Sequence, residues 1–201
     1  MCCRSIIRSS VDDVKNPRFW MAVAAEALGT LVLVIIGCGT CVGKDWEKLN
    51  PSNLQIAFAF GLTVATVVWC IGHLSGGHIN PAVTAAMLLT RKISLVKAVL
   101  YVVAQSAGAV GGAALLKGLT PEDLLGDIGM TTVSDDITVV RAFGVEFFIT
   151  FVLVLTVFAS CDARRQDLKG SAPLTIGIAV LICHLFAVSA TVQCRYYILF
   201  R

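Results

Sequence analysis

Charge is scarce in this sequence. Only 14% of its 201 residues are Asp, Glu, Lys or Arg, against about 25% in an ordinary soluble domain. So little polar sequence remains outside the apolar runs that there is no room for a separate soluble domain. Nucleophile–base pairs, phosphate-binding loops and metal-ligand clusters are also missing, so the chain does not read as an enzyme and no cofactor is expected. The eight cysteines do not form a framework of pairs. Cys38 and Cys41 make a single CxxC, while Cys38, Cys70, Cys161 and Cys183 lie in or at the edge of apolar runs, where a reduced cysteine acts as a small hydrophobe. The first apolar run lacks a small-residue cleavage pattern and is too long for a signal-peptide core, so it reads as a retained anchor.

What the chain does have is hydrophobic length. Its residues are 57% hydrophobic and its mean hydropathy is +0.83. A helix needs roughly 20 mostly apolar residues to cross the bilayer's hydrocarbon, and five stretches qualify: Phe19–Gly43, Leu54–Gly72, Ser94–Leu116, Ile137–Ala159 and Ala172–Ala190. Backbone polar groups in lipid must be satisfied internally, so these are expected as helices of an all-α membrane protein. A sixth stretch, Ile79–Thr90, is too short to span and reads as a re-entrant half-helix. With the amino terminus on the cytoplasmic side, the inner segments carry ten basic residues, among them Arg4, Arg8, Arg91, Lys92, Arg164 and Arg165. The outer segments carry six (Lys44, Lys48, Lys117, Arg141, Arg195 and Arg201). That agrees with the positive-inside bias. The loop between the third and fourth spans adds Glu122, Asp123, Asp127, Asp135 and Asp136 and holds no basic cluster. In the third span, Gly108, Gly111 and Gly112 sit among alanines, a composition that lets membrane helices approach closely.

Two apolar spans each place a Glu four residues before a Thr: Glu26 with Thr30 and Glu146 with Thr150, followed by Leu/Val-rich runs. The copies are about 120 residues apart, and three spans start from the first copy onward, an odd number that inverts the second copy. A carboxylate at membrane depth costs at least ~2.5–3.5 kcal/mol unless it is paired or faces a polar interior. No Lys or Arg lies at matching depth. Glu26 and Glu146 therefore read in one of two ways: as acids that only fix helix packing, or as acceptors for non-helical backbone tucked inside the bundle.

The candidate for that backbone is Gly72-His73-Leu74-Ser75-Gly76-Gly77-His78-Ile79-Asn80-Pro81-Ala82-Val83-Thr84. Gly76 and Gly77 allow a stretched backbone whose carbonyls point one way into a cavity. Asn80 is a good N-cap, and Pro81 at the first helical position lacks only a donor that would be orphaned anyway. The half-helix Ala82–Thr90 then aims its positive end at membrane depth. An amide there can donate hydrogen bonds to a water oxygen, while the dipole opposes protons and cations.

The stretch Ser75–Thr84 resembles the first signature loop of the aquaporin, or major intrinsic protein, family. The resemblance runs from about Phe19 to Val188 and includes the Glu-to-Thr spacing, Phe58-Ala59-Phe60-Gly61-Leu62, Thr90–Ser94 and Ala159-Ser160-Cys161-Asp162. It implies an inverted-repeat bundle of six spans and two half-helices, assembled as a homotetramer with one pore per subunit. Water would flow through it passively along osmotic gradients, with the family's usual plasma membrane as its address. It further implies that Asn80, Pro81 and Ala82 form the first pore motif, with Gly76, Gly77 and His78 supplying carbonyls. Phe60 and His184 match two of four positions of the aromatic/arginine filter, where a His is typical of water-selective members. Glu26 and Glu146 match the buried acids that support the pore loops.

After Val188 this chain departs from the family pattern. A second Asn-Pro-Ala should begin near Tyr196, followed by the filter arginine, but the sequence reads Ser189-Ala190-Thr191-Val192-Gln193-Cys194-Arg195-Tyr196-Tyr197. The expectation is thus a tail at 1–18, an incomplete aquaporin-like domain at 19–190 with five spans and one half-helix, and a divergent or truncated end at 191–201. A non-conducting form that assembles with full-length subunits is the alternative to a working water channel. A glycerol facilitator is disfavoured by His184, and a proton-coupled transporter would give the Asn-Pro-Ala loop no special role. Ser94 after Arg91-Lys92 resembles a basophilic kinase site, although capping the third span is its ordinary job. Cys2 and Cys3 beside basic residues are either palmitoylated or plain thiols.

Overall fold

The computed structural model describes residues 13–42, 52–124, 128–129, 132–133, 137–165, 171–190 and 192–193. The expectations for Cys2 and Cys3, for Asp127, Asp135 and Asp136, and for Arg195 and Tyr196 lie outside the described residues. Six α-helices carry the fold: α1 Pro17–Gly39, α2 Asn53–Ser75, the short α3 Pro81–Leu89, α4 Leu95–Leu119, α5 Val139–Ser160 and α6 Ala172–Ala190. By length and composition α1, α2, α4 and α5 can cross a membrane. The fifth expected span is α6, also apolar and 19 residues long, or about 28 Å at 1.5 Å per residue. Two two-residue strands, β1 Thr132–Val133 and β2 Val192–Gln193, pair antiparallel. No sequence pattern announced them, since two residues carry no periodicity.

Most of the helices start where a short polar side chain can take an orphan N–H. Asn16 caps α1 through Arg18 N (3.0 Å), with Pro17 at the first helical position. Ser52 and Gln55 form a reciprocal capping box at α2, with bonds of 2.7 and 3.2 Å. Ser94 caps α4 through Lys97 N (3.1 Å), as its ordinary reading required, and also donates to Asp13 Oδ2 (2.5 Å). Thr138 caps α5.

Packing then follows the small residues. Gly108 on α4 lies against the carbonyl of Ala27 on α1, and a Cβ at Gly112 would stand 2.7 Å from the Leu31 oxygen. A glycine crossing of the same kind joins α2 to α6, where Gly61 and Gly177 each face the other's carbonyl. These contacts bring backbones close enough for dispersion to hold apolar helices together in an apolar solvent. The α1–α4 and α2–α6 pairs are the most extensive in the molecule. The short α3 packs on α4 and α5. Its start differs slightly from the expected Ile79–Thr90, because Ile79 leaves the helical region altogether.

Candidate functional site

Between α2 and α3 the chain makes no regular structure, and its geometry is set by three successive departures into left-handed or extended backbone. Gly76 closes α2 with φ +94° and Gly77 follows at φ +63°. The sequence had suggested a stretched pair of glycines. They are left-handed instead, a conformation that glycine adopts without a Cβ penalty. Ile79 adopts φ +41°, which for a β-branched residue is a strained outlier held by its surroundings.

Those surroundings are the Glu26 carboxylate, fully buried on α1. Oε1 accepts from Ser75 Oγ (2.6 Å) and His78 N (2.9 Å), while Oε2 accepts from Ile79 N (2.6 Å) and Gln105 Nε2 (2.8 Å). Four donors match the four lone-pair sites of a carboxylate. The sharper reading of Glu26, an acceptor for non-helical backbone, is the observed one. Thr84 Oγ1, also fully buried, donates to the Asn80 carbonyl (3.1 Å), accepts from Gln105 Nε2 (3.1 Å) and lies 3.1 Å from His78 Nδ1. A hydroxyl has one proton, so with that proton on Asn80 the donor must be His78 Nδ1, leaving Nε2 as an acceptor. Tyr101 O–H donates to the Ser75 carbonyl (2.8 Å), and Ser75 Oγ accepts from Gly77 N (3.0 Å).

Asn80 begins α3 with extended backbone, and its Oδ1 accepts from Ala82 N (2.8 Å). With Oδ1 committed to the cap, Nδ2 has no partner among the described residues. The carbonyls of Gly76, Gly77 and His78 likewise accept no hydrogen bond from any described residue. All four residues line a cavity of about 490 Å³. Along α2 the lining runs from Phe60 to His73, about 20 Å at the helical rise. Val83 and Met87 of α3, Leu153 and Val157 of α5 and Ile176 of α6 complete the apolar wall. Donor and acceptors thus stand along one side of a long, largely apolar space.

Phe60 and His184, which the family resemblance assigns to two filter positions, lie together: their rings stack with centroids 5.0 Å apart and planes 18° from parallel. His184 Nε2 is buried without a protein partner. Glu146 does not take the place expected of it. It recurs at helical spacing with Ala142, Leu153 and Val157, so it is on the inward face of α5, yet its side chain is exposed and no described residue bonds it. The physical reason is that no described segment lies over this part of α5. Ser75, Thr84, Tyr101 and Gln105 were not singled out from sequence as supports. Tyr101 and Gln105 did carry a signal: two polar residues four apart in an apolar span need partners at membrane depth.

A family model described as major intrinsic protein matches residues 13–193. Aquaporin-4 of Mus musculus is 47% identical over 192 residues, covering 94% of this chain and 59% of the mouse protein. Aquaporin-2 of Homo sapiens is 45% identical over 179 residues, covering 89% of this chain and 65% of the human one. The chain therefore spans about three-fifths of the length of these curated relatives. In fold it is similar to the aquaglyceroporin from Plasmodium falciparum, with a TM-score of 0.75 at 24% identity, covering 84% of this chain and 73% of that one. With its Asn80-capped half-helix hung on a buried glutamate inside a bundle of apolar helices, the chain belongs to the major intrinsic protein, or aquaporin, family.

Proposed function

We propose that this chain is a water channel, passing water down osmotic gradients through the cavity beside α3. The observation that carries the reading is Asn80: its cap bond fixes Oδ1 and leaves Nδ2 to the cavity that the residue lines. A water oxygen at that point receives a proton donor, and the neighbouring carbonyls of Gly76, Gly77 and His78 receive its hydrogens. The positive end of α3 opposes a proton or cation at the same depth. Phe60 and His184 form part of the narrow filter, with Phe60 on the cavity wall and the imidazole stacked on its ring. The names of the relatives support water as the permeant.

The same reading makes 19–190 the channel domain between an amino-terminal tail and a divergent end at 191–201. It places the amino terminus in the cytoplasm, the chain in the plasma membrane, and the assembly as a homotetramer. Stopped-flow osmotic shrinkage of liposomes holding the purified 201-residue chain tests the activity. Shrinkage faster than that of empty vesicles is expected, and equal rates would remove the claim. One observation favours a second reading, a non-conducting subunit that joins full-length channels: among the described residues nothing covers the inward face of α5 around Glu146. Co-expression with a complete channel would then alter its surface level or flux.

A further inference from the structure

Gly37 is a buried residue near the end of α1, with no polar group and no turn to make. A Cβ at this position would stand 2.5, 2.8 and 2.8 Å from three carbons of the Phe60 ring. Real Cβ atoms do not come so close to carbon, so the ring occupies the space that any other side chain at position 37 would need. The same ring stacks on His184, with centroids 5.0 Å apart. The Phe60 ring thus touches both the α1 backbone at Gly37 and the imidazole of α6. Phe60 also lines the cavity. Among the described glycines, Gly37 is the one whose absent side chain is replaced by an aromatic ring of the cavity wall.

We infer that Gly37 is a positioning residue of the cavity wall: its bare backbone is the seat of Phe60, and the seat sets how far the Phe60 ring stands into the cavity. This rests on the water-channel reading as far as permeation is concerned; the seat itself does not. Adding one methyl group to Gly37 leaves the ring no retreat toward α1. The methyl displaces the ring from its seat toward the cavity that it lines, which narrows the passage. Gly37→Ala would ordinarily favour a helix, since Ala is the better helix former. A loss of function from it therefore points to the ring rather than to the helix.

The experiment uses four full-length chains: the parent, Gly37→Ala, Phe60→Ala and the double substitution, whose small residue at 60 leaves room for the methyl. Each is labelled on histidine, of which the sequence has only three, purified in detergent and also reconstituted in liposomes. In the parent, the His184 ring proton resonance is expected to be displaced by the stacked Phe60 ring. Gly37→Ala should shift it, Phe60→Ala should bring it to the unstacked position, and adding Gly37→Ala to Phe60→Ala should leave it there. In liposomes Gly37→Ala should reduce osmotic water permeability, with the double substitution regaining it. A His184 resonance indifferent to Gly37→Ala overturns the seat, and unchanged water permeability in a conducting chain overturns its part in setting the passage. Flux equal to empty vesicles in all four chains counts against the water-channel reading instead, and the resonance still decides the seat.

Discussion

Glu26 and Glu146 occupy the same sequence setting, each four residues ahead of a threonine in an apolar helix, and the fold treats them in opposite ways. Glu26 is sealed among Ser75, His78, Ile79 and Gln105 and holds a strained loop in place. Glu146 faces inward along α5 but is exposed. The contrast extends to the helices themselves: half of the apolar window of α2 is buried, but only 11% of that of α5. A buried carboxylate in this fold is therefore a property of the loop that covers it. The helix that carries it supplies only the address. Where the loop is present, four hydrogen bonds turn a costly group into a scaffold; where none is described, the same residue has nothing to hold.

The largest expected effect separates these two acids. Glu26→Ala strips four donors of their acceptor in a buried site and should cost at least about 3 kcal/mol, seen as loss of a cooperative melt or of folded protein in detergent. Glu146→Ala removes no hydrogen bond made by a described residue and should not lower stability, since an unpartnered carboxylate on an apolar helix has nothing to stabilise. Equal losses from the two would break the comparison.

How much of this was legible in the sequence differs along the same divide. The spans, the half-helix and the cap at Asn80 follow from apolar run length and from the Asn-Pro pair, both local signals. So does the need of Glu26 for a partner. The partner's identity was only half visible: Ser75 and His78 were in view as parts of a motif, but the positive φ of Ile79 has no sequence signature, because a tertiary bond imposes it. Gln105 stands 79 residues from Glu26, and nothing local ties the two. The failure at Glu146 has the same origin. A repeat shows that two positions are alike, and says nothing of whether the segment that buries one of them is also there for the other.

A finer test stays on the Glu26 side. Gln105→Leu removes one donor from the Glu26 carboxylate and one from Thr84, and should cost about 1–3 kcal/mol, measured as a lowered melting midpoint. The matching change at Tyr101→Phe removes only the bond to the Ser75 carbonyl and should cost about 1 kcal/mol. If Tyr101→Phe proved the more damaging, the Tyr101 hydroxyl bond would be the main support of the loop and the carboxylate secondary.

The smallest effect belongs to the loop that ends α5. Arg164 binds the Asp162 carboxylate through its side chain (2.7 Å) and its backbone N–H, holding that carboxyl well below the usual carboxylate range. A depressed folded-state value adds stability above the unfolded carboxyl's value of about 3.9 and loses it as pH falls through the folded one. Asp162→Asn should therefore weaken the acid dependence of the melting midpoint slightly, and the pair's exposure keeps the change small. A large change would mean that the α5 end is better ordered than the rest of that helix.

The account as a whole depends on residues 76–87 bordering water inside the bundle. The direct measurement is thiol labelling in a cysteine-free chain in liposomes, with Val83→Cys and Met87→Cys on the cavity wall and Ala98→Cys, buried on α4, as the control. Rapid modification of positions 83 and 87 by a small, charged methanethiosulfonate, with 98 left untouched, is the expected result. Protection of 83 and 87 equal to that of 98 would mean that the space beside α3 is closed to water, and the account would be wrong.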